Sequence, residues 1–254
     1  MSLKILLAFA IIIFSSSLRA QFALIGDAEH MPGSCIQLTP DYDYREGIAY
    51  STSYLNLQNY FEIEFDIYLG DKDVGGADGI TFVIHNDPRG FQAYGTYGEC
   101  MGYGRWSPYY DGGNFIAPSI AIEFDTYQNL QQNDPASDHV AYLENGVSLH
   151  ATHWNDDNDD YNLEDGRLHN FRFRWNPNNK NITVLLDNKV VFEGTKDLVN
   201  DIFDGETKVI WGFTASTGRA YNLQYFCFRR LALNNLPAIH PVQKSQREIY
   251  SEAP

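Results

Sequence analysis

The sequence predicts an all-β protein folded as an antiparallel β-sandwich of two large sheets. Short alternating or apolar runs recur between turn clusters rich in Gly, Asn, Asp and Pro, which is the pattern of strands joined by loops. The 254 residues include 17 Tyr and 16 Phe, and aromatic side chains favour strands. No long amphipathic helix or internal repeat interrupts the pattern, so two packed sheets are the simplest architecture.

Seven segments predict the main strands. They are residues 60–69, 81–85, 119–124, 169–175, 181–186, 208–213 and 223–231. The first of them, YFEIEFDIYL, alternates with a period of two, as a strand with one buried face does. Asp187 and Asn188 lie between two apolar runs and predict a tight hairpin turn. Residues 155–160 (NDDNDD) predict a solvated acidic loop, with a second cation site as the alternative.

The two ends of the chain differ from its middle. Residues 1–20 predict a signal peptide: Lys4 precedes an apolar run over 5–14, and Ala20 precedes a cleavage position at Gln21. That run is too short to span a bilayer, so we expect a secreted or cell-surface protein without membrane insertion. Residues 21–236 predict one domain, and residues 237–254 predict a C-terminal tail or linker.

Charge and cysteine content indicate which partners and which cellular compartment to expect. The formal net charge of −15 repels phosphate backbones, so nucleic acid is not an expected partner. Three cysteines in an exported chain indicate one disulfide and one remaining thiol. Because the termini of β-sandwiches often lie side by side, we expect the bridge to join Cys35 and Cys227 and to leave Cys100 free.

The run from residue 123 to 139 (EFDTYQNLQQNDPASDH) brings potential metal ligands together. Strand alternation places Glu123 and Asp125 on one face, and Asn129, Asp134 and His139 follow within a short loop. Ca²⁺ prefers six to eight oxygen ligands, whereas an imidazole among carboxylates suits a transition ion such as Mn²⁺. Two adjacent ions sharing Asp125 and Asp134 would satisfy both preferences; an acidic surface hairpin is the alternative.

Three segments in order resemble the L-type lectins, the legume-lectin-like family, and the resemblance is strongest toward its bacterial members. They are the run 123–139, the segment 76–82 (GADGITF) and the segment 211–218 (WGFTASTG). The resemblance implies a concanavalin A-like jelly roll. It also implies a lectin that binds glycans or glycoconjugates rather than an enzyme, and it leaves a homo-oligomer open.

The resemblance also implies the metal ligands. The ligands of Ca²⁺ would be Asp125, Asp134, the side chain of Asn129 and the main-chain carbonyl of Tyr127. A transition ion such as Mn²⁺ would share both aspartates. Its further ligands would be Glu123 and His139. The family's animal and bacterial members do not all keep the transition ion, so Ca²⁺ is the firmer expectation.

The sugar site follows from the same resemblance. Asp78 would accept hydrogen bonds from sugar hydroxyls after an Ala77–Asp78 peptide bond that is often cis in the family. Asn129 would donate from its side-chain amide, and Tyr127 or Tyr103 would pack on the sugar ring. The remaining expected contacts come from the Gly-rich stretch 98–104 and from the last motif, and they are Gly102, Tyr103, Thr217, Gly218 and Arg219.

Two rival functions compete with a lectin. A glycoside hydrolase or polysaccharide lyase on the same sandwich would carry Glu-x-Asp-x-x-Glu, which supplies a second carboxylate about 5–5.5 Å from the first in retaining hydrolases. The runs that begin at Glu64 and Glu123 have Leu69 and Gln128 where that second carboxylate belongs. The second alternative is an adhesion module of a larger surface protein, which is compatible with lectin activity.

Overall fold

The structure is a computed structural model that describes residues 22–106, 113–158 and 160–233. The signal peptide predicted for residues 1–20 and the tail predicted for residues 237–254 lie outside these residues. Within them, no helix has the length and apolar character needed to cross a bilayer.

The chain forms two antiparallel sheets, which confirms the predicted β-sandwich. In the first sheet, one short strand, β5 (Leu55–Asn56), pairs beside the main path of strands. In spatial order its strands are β1 (Phe22–Gly26), β4 (Glu46–Ser51), β14 (Lys208–Ser216), β7 (Gly79–His85), β8 (Ser119–Asp125), β9 (His139–Glu144) and β10 (His153–Trp154).

The second sheet covers the first. In spatial order its strands are β13 (Lys189–Thr195), β12 (Asn181–Leu186), β11 (His169–Asn176), β6 (Phe61–Tyr68), β15 (Gln224–Leu233), β3 (Cys35–Thr39) and β2 (Glu29–His30). The described helices are all single turns. Three are 3₁₀ turns at Gly90–Gln92, Gly98–Cys100 and Leu130–Gln132, and the fourth is a π-helical turn at Leu198–Ile202.

The strand pattern of the sequence is also the burial pattern of the structure. Each of the seven predicted segments forms a strand, and β11 alternates buried and half-buried residues along its whole length. Phe65 of β6 lies at the centre of an aromatic core and contacts Phe82 and Phe213 of the opposite sheet. Burial of such side chains contributes roughly 1.5–3 kcal/mol each, so the two sheets are held face to face.

The disulfide joins the residues predicted from the sequence. Cys35 of β3 and Cys227 of β15 are paired neighbours in the second sheet, and a disulfide bond links them. Cys100 is a free, buried thiol. The pairing of β3 with β15 therefore places the two cysteines side by side.

Candidate functional site

One edge of the first sheet gathers the loops that form the site. Gly79, the first residue of β7, pairs with Asp125 at the end of β8 and with Ser216 at the end of β14. The residues just before β7, just after β8 and just after β14 therefore meet at this edge. Hydrogen bonds hold them there, because the Asp78 amide donates to Ser216 and its carbonyl accepts from Thr126.

These loops surround a cleft of about 380 Å³. Five of its lining residues are among those that the sequence predicted to contact sugar. The cleft is lined by Asp78, Tyr97, Gly98, Glu99, Trp106, Tyr127, Asn129, Gly218, Arg219 and Ala220. Three aromatic side chains with exposed surface face a few polar groups, which is a composition typical of sites that bind small polar ligands.

Asp78 is the buried acid of the cleft. It is 5% exposed, and its Oδ2 has no hydrogen-bond partner among the described residues. Burial raises the pKa of Asp78 to about 7, the Glu99 carboxylate adds to the rise, and the Gly218 amide opposes it. Its peptide bond to Ala77 is cis, as the resemblance implied. A carboxylate in this position can accept hydrogen bonds from ligand hydroxyls.

A cluster of acidic and imidazole side chains lies behind the cleft. Glu123 and Asp125 project from β8 and His139 begins β9, which pairs with β8 so that His139 is opposite Asp125. Two overlapping groups have ligand atoms within 4.8 Å of one another. One is Asp125, Asp134 and His139, and the other is Glu123, His139 and His150.

Burial and mutual repulsion disfavour the charged forms of the side chains in this cluster when no cation is bound. Burial raises the pKa of Glu123, and His150 opposes the rise. Burial also raises the pKa of Asp125 well above its usual range, and Asp134 and Glu123 add to the effect. Burial lowers the pKa of His139 to about 3, with His150 and His153 contributing. Carboxylates that repel one another beside a neutral imidazole are the donor set that a cation stabilises.

Buried polar atoms without hydrogen-bond partners also indicate a metal site in this cluster. Among buried side-chain atoms without a hydrogen-bond partner in the described chain are Glu123 Oε1, Asp134 Oδ1, His139 Nε2 and Asn129 Oδ1. Buried polar atoms are normally paired. Because the Glu123 and Asp134 oxygens both lie within 4 Å of His139 Nε2, and the Asn129 amide is bonded to Asp134, the residues present fit a metal ion.

Asn129 connects the cluster with the cleft. Its backbone amide donates to Asp134 Oδ2 at 2.6 Å, its Oδ1 is buried and unpaired, and the residue lines the cleft. Asp125 Oδ1 accepts from the backbone amide of Tyr127 at 2.8 Å. The two acids thus shape the backbone that carries the cleft residues.

Three of the predicted sugar contacts do not reach the cleft. The backbone amide of Gly102 donates to the carbonyl of Thr96, so it has no free N–H for a sugar. Tyr103 is 1% exposed, and its hydroxyl contacts Ser119 at 2.9 Å and accepts from the Gly146 amide. It therefore has no exposed face on which a sugar ring could stack.

Thr217 is the third residue that was predicted to contact sugar but does not line the cleft. It is fully buried, and its hydroxyl donates to the carbonyl of Tyr42 and accepts from the amide of Arg45, both at 2.9 Å. It holds the 42–45 loop against the end of β14. Its neighbours Gly218 and Arg219 line the cleft instead.

Some residues of the cleft and of the metal cluster were not predicted from the sequence. The Gly-rich stretch contributes Gly98 and Glu99 to the cleft rather than residues further along, and Tyr97 and Trp106, on either side of the stretch, also line it. At the metal cluster, the missed residue is His150. A weak signal was available, because residues 150–153 read His-Ala-Thr-His after a strand that pairs with β8. His153 lies on the outer side of the cluster, with its ring 5.6 Å from that of His150.

A β-sandwich with an acidic, aromatic cleft over a metal-ligand cluster defines the class of carbohydrate-binding sandwich proteins. The chain belongs to the legume lectin family: the family model described as the legume lectin beta-barrel domain matches residues 13–230. Members of this family are carbohydrate-binding proteins and not enzymes, and they typically bind metal ions.

Solved structures agree on the fold. A peanut lectin bound to a nine-residue peptide superposes with a TM-score of 0.64 and 22% identity, covering 87% of this chain and 93% of that one. A metal-free lectin I-B4 from Griffonia simplicifolia gives a TM-score of 0.66 at 20% identity, covering 87% and 96%. A lectin from Bauhinia forficata in complex with GalNAc gives 0.65 at 20%, covering 87% and 93%.

One curated relative is a galactose-binding lectin of Arachis hypogaea. It is 36% identical over 85 residues, which span 33% of this chain and 29% of that protein. These relatives are plant lectins, and the bacterial character expected from the sequence stays a prediction.

Proposed function

We propose that the protein is a secreted or cell-surface lectin whose binding of glycans depends on Ca²⁺. The observation that carries the proposal is the position of Asn129. It lines the cleft, its amide is fixed by Asp134, and its side-chain oxygen is buried without a partner beside the metal cluster. One residue thus belongs to both sites, and occupancy of one affects the shape of the other.

The oxygen donors around Asn129 suit Ca²⁺. Asp125 and Asp134 supply carboxylates, Asn129 an amide oxygen and Tyr127 a main-chain carbonyl, and Ca²⁺ prefers oxygen ligands of these kinds. When bound, the ion would neutralise the buried acids. If the side-chain oxygen of Asn129 held the ion, its side-chain N–H groups would be free to face the cleft that the residue lines. Glu123 and His139 complete a second position suited to Mn²⁺ or another transition ion.

The cleft residues have distinct roles toward a sugar. Asp78 accepts hydrogen bonds from neighbouring hydroxyls, and Asn129 donates to one of them. Tyr127, 44% exposed, packs against the apolar face of the ring. Arg219, an exposed residue, lines the same cleft. Relatives described as galactose-binding or solved with GalNAc make galactosides the first ligands to test.

The export part of the proposal rests on the predicted signal peptide and on the disulfide. The bond between Cys35 and Cys227 suits an oxidising compartment. Association into a homo-oligomer and display as an adhesion module are compatible with the same site.

A glycan array read with and without Ca²⁺ tests the proposal. We expect binding of a restricted set of glycans in Ca²⁺, loss of that binding after exhaustive chelation, and recovery when Ca²⁺ is restored. The Asp78→Asn variant should bind none of them while keeping its melting temperature. Glycan binding that persists in EDTA would contradict the Ca²⁺ dependence.

A hydrolase is the weaker candidate. Glu64, which begins one of the two hydrolase-like runs, lies on β6 in the second sheet. There it contacts Arg230 at 3.5 Å and accepts from Asn170 at 3.2 Å. Glu123, which begins the other run, belongs to the metal cluster. Neither has the second carboxylate at the spacing that the reaction requires.

A further inference from the structure

His150 stands out in the metal cluster because it comes from neither β8 nor the 126–138 loop. It follows β9, and the 130–134 loop holds its backbone. Its amide donates to the Gln132 carbonyl at 3.4 Å, and its carbonyl accepts from Asn133 Nδ2 at 3.1 Å. These two hydrogen bonds come from the loop that also carries Asp134, and they fix the His150 backbone so that its imidazole lies in the cluster.

We propose that His150 is a second imidazole ligand of the transition-ion position, so that this position selects a nitrogen-seeking ion such as Zn²⁺ or Co²⁺ over Mn²⁺. The proposal deepens the proposed function, on which it rests for the existence of a metal-assisted site. It changes the ligand set from one imidazole among carboxylates to two imidazoles, His139 and His150, with Glu123 and the shared Asp134.

The distances support ligation by both rings. His150 Nδ1 lies 3.1 Å from Glu123 Oε1 and 4.0 Å from Asp134 Oδ1. His139 Nε2 lies 3.8 Å and 3.7 Å from the same two oxygens. The side chains of the four residues are at most 2% exposed. These spacings leave room for one ion among the four atoms, since Zn²⁺ bonds nitrogen and oxygen at about 2.0–2.2 Å.

All four atoms also lack a hydrogen-bond partner within the described chain. His150 Nδ1 and Glu123 Oε1 are 3.1 Å apart, within ion-pair distance, but neither atom takes part in a hydrogen bond of good geometry. Nε2 of His150 is likewise buried and unpaired. A proton on His150 Nδ1 could pair it with Glu123 but would leave His139 Nε2 and Asp134 Oδ1 without a partner, whereas one shared ion would serve all four atoms.

The ligand set determines the ion. Imidazole suits Zn²⁺, Cu²⁺ and Ni²⁺, while sites of carboxylate, carbonyl and water suit Mn²⁺, Mg²⁺ and Ca²⁺. A second imidazole therefore raises affinity for the late ions far more than for Mn²⁺. The neighbouring oxygen-rich group with Asp125 and Asp134 keeps its preference for Ca²⁺.

The test counts imidazoles directly. Chelator-stripped full-length protein is given saturating Ca²⁺ and one equivalent of Cu²⁺ as a paramagnetic probe, and nitrogen couplings are measured by pulsed EPR. We expect two imidazoles in the wild type and one in His150→Ser. Calorimetric titration should show that this variant loses roughly tenfold or more in Zn²⁺ and Co²⁺ affinity but little in Mn²⁺ affinity.

Matched controls separate the alternatives. His153→Ser removes a neighbouring but exposed ring and should leave the imidazole count and the Zn²⁺ affinity unchanged. A single imidazole in the wild type, or equal losses for Zn²⁺ and Mn²⁺ in His150→Ser, would overturn the proposal. The latter outcome would make His150 a positioning residue.

Two further readouts keep the result decisive. If His150→Ser does not fold, the imidazole count of the wild type decides alone. Glycan binding is measured on the same samples in Ca²⁺. Two imidazoles without glycan binding would reject the lectin function and leave the ligand assignment intact. Glycan binding with only one imidazole would reject the ligand assignment and leave the lectin function intact.

Discussion

The backbone amide of Asn129 donates a hydrogen bond of 2.6 Å to Oδ2 of Asp134, while Asp134 Oδ1 faces the imidazole of His139 at 3.7 Å. One carboxylate therefore acts on the metal cluster with one oxygen and on the cleft with the other. This arrangement makes the backbone conformation of a cleft residue, Asn129, depend on a residue of the metal-ligand cluster.

Replacing Asp134 should uncouple the cleft from the metal. In Asp134→Ala, the Asn129 amide loses its acceptor and the cation loses a ligand, so we expect glycan affinity to fall at least roughly tenfold. The melting temperature in EDTA should change little, because the 130–134 loop lies outside the hydrophobic core. Asp134→Asn keeps an acceptor for the amide and should lose less affinity. If Asp134→Ala binds glycan and Ca²⁺ as well as the wild type does, Asp134 does not couple the two sites.

Asp78 should contribute most of the polar recognition in the cleft. Asp78→Asn keeps the shape but removes the charge, and charge-assisted hydrogen bonds contribute about 1.5–3 kcal/mol, which is roughly 10- to 150-fold in affinity. Isothermal titration with a galactoside measures the change. Asp201→Asn, an exposed acid in the π-helical turn, is the control and should bind as the wild type does.

Glycan binding should weaken on acidification. Burial and Glu99 raise the pKa of Asp78 to about 7, so the carboxylate that accepts from hydroxyls is progressively protonated as the pH falls through that value. A bound cation favours the ionised form and moves the midpoint downward. Titrations between pH 5 and pH 8 in saturating Ca²⁺ should show the loss at the acidic end.

The Glu99→Gln variant tests whether the Glu99 charge contributes to the pH midpoint of glycan binding. Without the Glu99 charge, the pKa of Asp78 should fall and the binding midpoint should move to lower pH. Glu99 also accepts from Gln132, so the readout is the shift of the midpoint rather than the absolute affinity. A midpoint that moves upward would contradict the assignment to Asp78.

Strand periodicity explains which parts of the site could be predicted. Glu123 and Asp125 are two residues apart on one strand, so alternation places both on one face, and His139 is opposite Asp125 in the pairing of β9 with β8. Loops carry no such rule. Whether Gly98 or Gly102 faces a ligand depends on which amide the chain itself uses, and Gly102 donates to Thr96.

The same reason accounts for Thr217 and His150. A hydroxyl in a polar motif can face a ligand or close a loop, and Thr217 does the latter through Tyr42 and Arg45, which lie more than 170 residues away in sequence. His150 reaches the cluster through contacts with Gln132 and Asn133. Neither contact is visible from local spacing.

The two tyrosines first proposed for stacking should separate binding from stability. Tyr127 is exposed at the cleft, so Tyr127→Ala should weaken glycan binding, by roughly 1 kcal/mol or more for a lost ring contact, without lowering the melting temperature. Tyr103→Phe leaves the Gly146 amide without its acceptor and should lower the free energy of unfolding by about 1–3 kcal/mol with glycan affinity unchanged. Calorimetry and glycan titration of both variants measure this, and a binding defect in Tyr103→Phe would restore it to the site.

The disulfide should supply a large part of the stability of the sandwich. Cys35 and Cys227 are 192 residues apart in sequence, and in the chain-entropy model a loop of this size stabilises the fold by about 5 kcal/mol. For a domain of this size, 1 kcal/mol shifts the melting temperature by roughly 2–4 °C. The Cys35→Ser/Cys227→Ser variant should therefore melt roughly 10 °C or more below the wild type, and the wild type in reductant should approach it.

Thiol counting fixes the pairing independently of stability. Denatured, unreduced protein should show one reactive thiol, that of Cys100, and reduced protein should show three. Burial raises the pKa of Cys100, so this thiol should be unreactive in the native state. Cys100→Ala is the matched control: it should remove the single thiol and leave the effect of reductant on the melting temperature in place. A Cys100→Ala protein that melts at the same temperature with and without reductant would instead show that the stabilising bridge includes Cys100.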